Sequence, residues 1–567
     1  MTAHNRRPRG GISHVIGDQS APLLNMTLPA MLAQTTARWP GRLAAIFCAQ
    51  DIRWTYQDFS RAVDQLASGL LSLGITPGDR VGIWAPNRAE WLLTQFATAR
   101  IGAILVCINP AYRTSELEYA LNAVGCSTLI TARAFKSSDY TGMLRALAPE
   151  LGRTAGPLCA QRLPHLRHVV VMGDDIPPGM HRFDTICKSG TATTAQLDAI
   201  TARLDPHDVI NIQFTSGTTG SPKGASLTHH NILNNARFVS DAMDFTQADR
   251  LCIPVPFYHC FGMVMGTLGC VTKGAAMVIP GEGFAPRETL QAVADHRCTA
   301  LFGVPTMFVT ELALPDFDTF DLSSLRTGIM AGAPCPRAVM KQVQSQMHMS
   351  GVTIAYGMTE TSPVSFQSNV DDPLDQRVSS VGRIHPHVEV RLVDQHGQIV
   401  PVGHQGQLLT RGYSVMKGYW GAQAQTTGSI DADGWMHTGD LAVLDADGYC
   451  SITGRVKDMI LRGGENIYPR EIEEFLYTHP DIAQAQVFGV PDDTLGECVC
   501  AWIVLQDTAT ATADDIRLFC KDNIAHFKVP THVCLKTELP MTVTGKPQKF
   551  IMRDQMVADL RGDSGEV

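Results

Sequence analysis

The run FTSGTTGSPKGASLTHHN, Phe214 to Asn231, places three glycines (Gly217, Gly220, Gly224), five hydroxyl side chains and Lys223 within eleven residues. Glycines let backbone N–H groups converge on an anion, hydroxyls add donors, and a lysine brings mobile positive charge. A polyphosphate needs that combination. The run is not a Walker A loop, in which Ser or Thr follows Gly-Lys; here Gly224 follows the lysine. Composition alone fits a flexible surface loop equally well. The apolar VINIQF before it (Val209 to Phe214) reads as a strand and LTHHNILNNARFV after it as a helix, and that setting favours a phosphate loop.

Four further stretches carry side chains that could do chemistry. In AYGMTETSP (Ala355 to Pro363), Tyr356 could stack on a base, Thr359 could meet phosphate, and Glu360 could hold a hard cation through oxygen. Read alone, it is a strand-to-loop junction with one acid. In GWMHTGDLA (Gly434 to Ala442), Asp440 after a Thr-Gly turn could accept both ribose hydroxyls, although an isolated Gly-Asp turn is as a rule structural. GRVKDMILRGGENIYPREIE (Gly454 to Glu473) offers Arg455 to a ribose or phosphate, and Gly463 and Gly464 for close backbone approach. LPMTVTGKPQK (Leu539 to Lys549) sets Lys546 on a glycine turn near the C-terminus, where a lone lysine ordinarily does nothing.

The elements that must position these residues follow from the hydrophobic pattern. TYQDFSRAVDQLASGLLSLG opens with a capping box, Thr55 and Asp58, and continues at helical spacing. RVGIWAP, AILVCINP and STLITA read as strands, with helices near Glu90 to Ile101 and Glu116 to Ala123 between them; such alternation predicts crossover units on a parallel sheet. Residues 149–196 read as an irregular connection. LCIPVPF, AAMVIPG, ALFGVP, LRTGIMAGAP and VTIAYGMTE then read as buried strands ending in Pro or Gly turns, the strand ends at which open parallel sheets bind ligands. From Val388, short strands with Asp-Gly turns (VEVRLVD, GQLLTRG, CSITG) signal antiparallel pairing. The final segment has helices REIEEFLYTH and ADDIRLFCKDNI and strands AQAQVFGV and CVCAWIVL, and its boundary falls at Arg455 to Asp458.

At 567 residues the chain exceeds one hydrophobic core. Its composition, 18% charged and 44% hydrophobic, suits a large, well-buried α/β enzyme. A net charge of −9 argues against nucleic acid as the principal partner. Fifteen cysteines, scattered and without a CxxC, read as reduced thiols, and no run is apolar enough for a transmembrane helix. The segment holding Arg6, Arg7 and Arg9 is expected to be a ragged terminus of a cytoplasmic protein rather than a transit peptide.

Together the motifs TSGTTGSPKG, YGMTE, HTGD and GRVKDMILRGGENIYP, in that order, resemble the acyl-adenylate-forming (AMP-binding) superfamily: acyl-CoA synthetases, peptide-synthetase adenylation domains and firefly luciferase. The resemblance runs from about Leu28 to Asp554. NRAEWLLTQFATARIGAILVCINPAYR and PFYHCFGMVMG are most similar to bacterial and mitochondrial medium-chain fatty-acyl-CoA synthetases. It implies an α/β fold: a large N-terminal domain of parallel-rich sheets (1–455, with an antiparallel, barrel-like part at 388–455), a hinge at 456–458, and a small mobile α+β domain at 459–567.

The resemblance also implies roles. Thr215, Ser216, Gly217, Thr218, Thr219, Gly220, Ser221, Pro222 and Lys223 would hold the β- and γ-phosphates of ATP. Gly332, Ala333, Pro334 and Tyr356 would enclose adenine, with Thr359 at the α-phosphate. Glu360, with Thr218, would bind Mg²⁺. Asp440 would hold the ribose and Arg455 the ribose-phosphate end. Lys546 would bridge the carboxylate and the α-phosphate, and His259 would gate the acyl carboxylate. Lys457 occupies the hinge, where other members carry Asp, and Gly463 and Gly464 would line a coenzyme A tunnel. Met263, Val264, Met265, Met330 and Ala331 are apolar enough to wall an aliphatic chain, or to be ordinary core. The expected partners are a carboxylic acid, ATP and coenzyme A, with homodimerisation left open. The competing expectations are an adenylation enzyme loading a carrier protein, a luciferase-like monooxygenase, and a catalytically dead ligand-binding paralogue.

Overall fold

The computed structural model describes residues 6–152, 156–215, 222–333, 335–463, 465–492, 494–507, 509–542 and 547–561. The chain divides into two compact units. One comprises chiefly Ile16–Glu389 and Thr410–Met436; the other comprises Arg7–Val15, Val390–Leu409 and the chain from His437 onward.

The first unit contains two large sheets. An eight-stranded sheet runs in the order His181–Arg182, His168–Val171, Thr128–Thr131, Arg80–Trp84, Ile104–Cys107, Val209–Thr215, Lys223–Thr228, Gly418–Tyr419. It is parallel through Val209–Thr215, after which the last two strands turn antiparallel. A nine-stranded sheet has six parallel strands from Gly351–Gly357 to Leu43–Phe47, with antiparallel strands at both edges. The expected parallel-rich α/β architecture is therefore present, built from crossovers through helices.

The helices obey their sequence signals. Tyr56–Ser72 starts at the Thr55–Asp58 capping box, each side chain bonded to the other's backbone N–H, and buries Tyr56, Phe59, Val63, Leu66 and Leu70 at helical spacing. Ala89–Arg100 is buried on nearly every side, as a helix packed within a core must be. One apolar cluster joins Val81 and Val106 of the first sheet, Trp91 and Phe96 of that helix, and Met277 and Phe302 of the second sheet.

Two stretches differ from expectation. The helix expected from Leu227 begins at His229, because Lys223–Thr228 is a strand paired on both sides. Residues 149–196 hold a buried strand, His168–Val171, and a short helix, Phe183–Ser189, rather than an irregular connection alone.

A five-stranded sheet orders His14–Ile16, Val388–Val393, Gln405–Gly412, Met436–Leu444 and Cys450–Arg455. The C-terminal part of the second unit pairs Ile482–Asp492 antiparallel with Gly496–Leu505, and His532–Leu535 parallel with the latter. Strand alternation sends its side chains to two cores. Ala485, Val487, Val499, Ala501 and Ile503 pack with Ile472 and Leu476 of Pro469–Leu476 and with Ile516 and Cys520 of Ala513–Asn523. Phe488, Val490, Cys498, Cys500 and Trp502 pack with Met552 and Met556 of the terminal helix Lys549–Arg561.

Candidate active site

In the first unit, three of the residues singled out for their chemistry converge. Strands Val209–Thr215 and Lys223–Thr228 pair so that Thr215 stands opposite Lys223, closing the base of the glycine loop. Ser216, Gly217, Thr218, Thr219, Gly220 and Ser221 lie outside the described residues. Pro222 immediately precedes the return strand. Glu360 sits on the short turn Thr359–Thr361 after strand Gly351–Gly357, and its side chain is buried. The Thr215 hydroxyl donates to Glu360 Oε1 at 3.2 Å. Gly357 is the only residue type that fits ahead of this turn, since a Cβ there would lie 1.8 Å from the Pro363 carbonyl oxygen.

Tyr419, a residue the sequence reading passed over, completes the group. Its hydroxyl donates to the same Glu360 Oε1 at 2.9 Å, and Lys223 Nζ lies 5.1 Å from the centre of its ring. Burial and the Glu360 charge hold the Tyr419 phenol well above the usual tyrosine range, so it remains a proton donor. The group therefore contains a buried carboxylate, two hydroxyls and a lysine ammonium. Carboxylate and hydroxyl oxygens suit a hard cation such as Mg²⁺. Among the described residues no group of three or more His, Cys, Asp and Glu that could hold a metal ion assembles.

Other residues lie at strand ends of the same unit. Tyr356 is near the end of Gly351–Gly357, its ring 6.2 Å from that of Phe366. Gly332, at φ 90°, and Ala333 follow strand Thr327–Ala331; Pro334 lies outside the described residues. His259 stands two residues before a π-helix, Phe261–Leu268, and its Nδ1 accepts the Phe261 N–H at 3.2 Å. Helices with this wide turn are rare and frequently mark functional sites. Met263, Val264 and Met265 on it are fully buried. Gln213 ties it to the adjacent strand: the Cys260 thiol donates to its Oε1 at 3.0 Å, and its amide donates to the Met263 sulfur at 3.5 Å.

In the second unit, Asp440 and Arg455 are register partners on antiparallel strands, and Arg455 Nε donates to Asp440 Oδ1 at 2.9 Å. Asp440 is buried while Arg455 is about half exposed, 53% for its side chain. Lys457 lies on the turn Val456–Asp458; burial first, and the Arg455 charge next, hold its ammonium below the usual lysine range. Gly463 adopts φ 59° and its N–H donates to the Leu495 carbonyl at 2.8 Å; Gly464 lies outside the described residues. Lys546 also lies outside them. The chain flanking it is fixed on both sides: Met541 bridges Pro547, and the Gln548 N–H donates to the Pro540 carbonyl at 2.9 Å. Just beyond, Lys549 Nζ donates to Glu473 Oε1 at 2.6 Å and to the Val487 carbonyl at 2.9 Å.

Comparison with known proteins points one way. The family of AMP-binding enzymes matches residues 32–420, and the C-terminal domain of AMP-binding enzymes matches residues 471–546. The putative acyl-CoA synthetase YngI of Bacillus subtilis is 48% identical over 540 residues, covering 95% of this chain and 98% of its own. The human mitochondrial medium-chain acyl-CoA ligase ACSF2 is 43% identical over 559 residues, covering 97% of this chain and 90% of its own. Among solved structures, the anthranilate CoA ligase AuaEII in complex with anthranoyl-AMP superposes with a TM-score of 0.84 at 27% identity, covering 96% of this chain and 99% of that one.

Proposed function

This chain belongs to the AMP-binding enzyme family, and we propose that its reaction is the ATP-dependent ligation of a medium-chain fatty acid to coenzyme A. The observation that carries the reading is the meeting of Thr215, Lys223, Glu360 and Tyr419 at the base of the glycine loop. A donor, a mobile cation and a buried carboxylate collected there suit the polyphosphate of a nucleotide and its metal.

The chemistry explains why these groups are needed. A carboxylate resists attack by a thiol because it is anionic and has no leaving group. Attack of its oxygen on the α-phosphorus of ATP expels pyrophosphate and leaves an acyl-adenylate. The coenzyme A thiol then adds to the acyl carbonyl, AMP departs, and the thioester remains. In the first step the protein must bring two anions together and offset the charge that grows. Lys223 and the glycine loop, Thr215 to Lys223, would grip the leaving pyrophosphate. Glu360, with Thr218, would hold Mg²⁺, which when bound supplies electrostatic neutralisation of the phosphates. Thr359 would face the α-phosphate, and Tyr356 with Gly332, Ala333 and Pro334 would hold adenine. Asp440, whose carboxylate is already oriented by Arg455, would accept from the ribose hydroxyls.

Lys546 would bridge the two reacting anions, with His259 beside the acyl carboxylate. Once the adenylate exists, a lysine in that place obstructs the thiol. The small domain, 459–567, would therefore turn about the hinge 456–458, with Lys457 absorbing the backbone change, and present Gly463 and Gly464 to coenzyme A. Among the described residues no helix is long and apolar enough to cross a membrane. On the separate ground of its fifteen scattered cysteines, which suit a reducing compartment, we propose a cytoplasmic location, with a homodimer as a candidate assembly.

The test separates the half-reactions. Lys546→Ala should cut acyl-AMP formation, read as pyrophosphate exchange into ATP, by at least roughly 10²-fold. Thioester formation from supplied acyl-AMP should be largely retained. Equal loss in both halves would sink the alternation, and product formation without free coenzyme A would sink the ligase reading. kcat/KM across acids of increasing chain length, with an aryl acid included, fixes the substrate.

A further inference from the structure

We propose that Tyr419 is a positioning residue for the metal: it fixes which oxygen of the Glu360 carboxylate faces the cation. The inference rests on the reading of Glu360 as the metal ligand. Both hydrogen bonds recorded for that carboxylate, from the Tyr419 hydroxyl at 2.9 Å and the Thr215 hydroxyl at 3.2 Å, end on Oε1. Oε2 receives none among the described residues. A carboxylate with one oxygen held by two donors presents the other as a single, oriented ligand. Partners behind a ligating group fix its orientation and tune the metal it holds.

Tyr419 is itself held firmly enough for the task. Its strand pairs with the return strand of the glycine loop, Tyr419 opposite Ala225 and Gly418 opposite Ser226. The Tyr419 N–H donates to Thr426 Oγ1 at 2.9 Å, and the Trp420 N–H to the Gly224 carbonyl at 2.8 Å. Three residues earlier, the Met416 N–H donates to the Glu360 carbonyl at 2.9 Å. One short segment, Met416 to Trp420, therefore grips the return strand Lys223–Thr228 and the Glu360 turn together, by backbone and by side chain. Gly418 makes the approach feasible: it takes φ 145°, and a Cβ there would come within 2.9 Å of the Thr426 methyl group.

The ring serves the second charge of the site. With Lys223 Nζ 5.1 Å from its centre, the aromatic face attracts the ammonium. Tyr419 thus touches both charges of the site while its own role is to aim one of them.

The test uses the full-length protein and Mn²⁺ as the probe, with ATP present and no carboxylic acid, so that binding is read by electron paramagnetic resonance without turnover. Tyr419→Phe removes the hydroxyl and keeps the ring. It should raise the half-saturating Mn²⁺ concentration by roughly tenfold, and shift the Mg²⁺ dependence of pyrophosphate exchange by the same factor. The KM for the acid should not move. Tyr419→His, which keeps a ring and a donor, should retain more of the Mn²⁺ affinity than the phenylalanine variant, and serves if that variant folds poorly. Glu360→Gln is the reference. Wild-type Mn²⁺ binding in Tyr419→Phe beside defective binding in Glu360→Gln overturns the proposal, as does an equal rise in the KM for the acid. Wild-type binding in Glu360→Gln overturns the metal-ligand reading beneath it.

Discussion

Lys549 offers the sharpest test of how the C-terminal part of the chain is anchored. It opens the helix Lys549–Arg561 and lies three residues beyond Lys546. Its ammonium and the Val487 N–H both reach Glu473 Oε1, at 2.6 and 2.8 Å. The Glu473 side chain is only 8% exposed and that of Lys549 24%. Lys549→Met keeps most of the stem and removes the charge, so the Glu473 carboxylate stays buried with one recorded donor. Orphaning a buried ion of this kind costs about 3–5 kcal/mol. Because water reaches part of the lysine, we expect less than that, about 2–3 kcal/mol. At 1.4 kcal/mol per factor of ten, local opening should become roughly 30- to 150-fold more populated. Hydrogen exchange of the full-length protein, followed by mass spectrometry, should show that increase across Lys549–Arg561 and Ile482–Asp492. Adding Glu473→Gln should recover much of the protection, since it removes the orphaned charge. Adenylation should fall more than thioester formation, because this helix anchors the chain that follows Lys546. Unchanged exchange in Lys549→Met, or no recovery in the double variant, would refute the reasoning.

Two further outcomes follow from buried carboxylates. Glu311 is almost fully buried, its Oε2 has no partner among the described residues, and burial holds its carboxyl well above the ordinary value of 4.5. Its contribution to stability is therefore whole below pH 4.5 and erodes as pH rises toward the folded-state pKa, because the unfolded chain ionises first. Glu311→Gln should remove a decline of up to about 1.4 kcal/mol per pH unit, read as urea midpoints between about pH 5 and 9; an unaltered pH profile would count against this. Asp440→Asn keeps the shape beside Arg455 but loses the charge that orients it, and should raise the KM for ATP by roughly tenfold, a charged hydrogen bond's worth, with the KM for the acid unchanged. Steady-state kinetics with each substrate varied in turn would expose a general defect instead.

What the sequence disclosed and what it concealed differ in range along the chain. The Thr55–Asp58 capping box is a rule over three residues, and the structure forms it. The alternation in Ile482–Asp492 and Gly496–Leu505 is a rule of period two, and it sorts their side chains into two cores. Thr215, Lys223 and Glu360 are conspicuous because glycine-rich turns and a lone acid announce themselves by type. The strand Lys223–Thr228 does not, since KGASLT has no strong strand propensity; pairing with Val209–Thr215 on one side and Gly418–Tyr419 on the other makes it a strand. His168–Val171 was obscured likewise, a short apolar run that becomes a strand only beside Thr128–Thr131. The supports within each unit are further from view. Tyr419 reaches a carboxylate 59 residues earlier in the chain, and Lys549 one 76 residues earlier. No spacing or periodicity encodes such a pair: sheet order sets it, and an aromatic on an edge strand or a lysine at a helix start is otherwise ordinary. A residue that reacts can be recognised by its type and its turn, whereas one that aims it becomes visible only when the strands are laid side by side. The most informative variants are accordingly those of Tyr419 in the first unit and Lys549 in the second, whose effects depend on the fold of each having brought distant segments together.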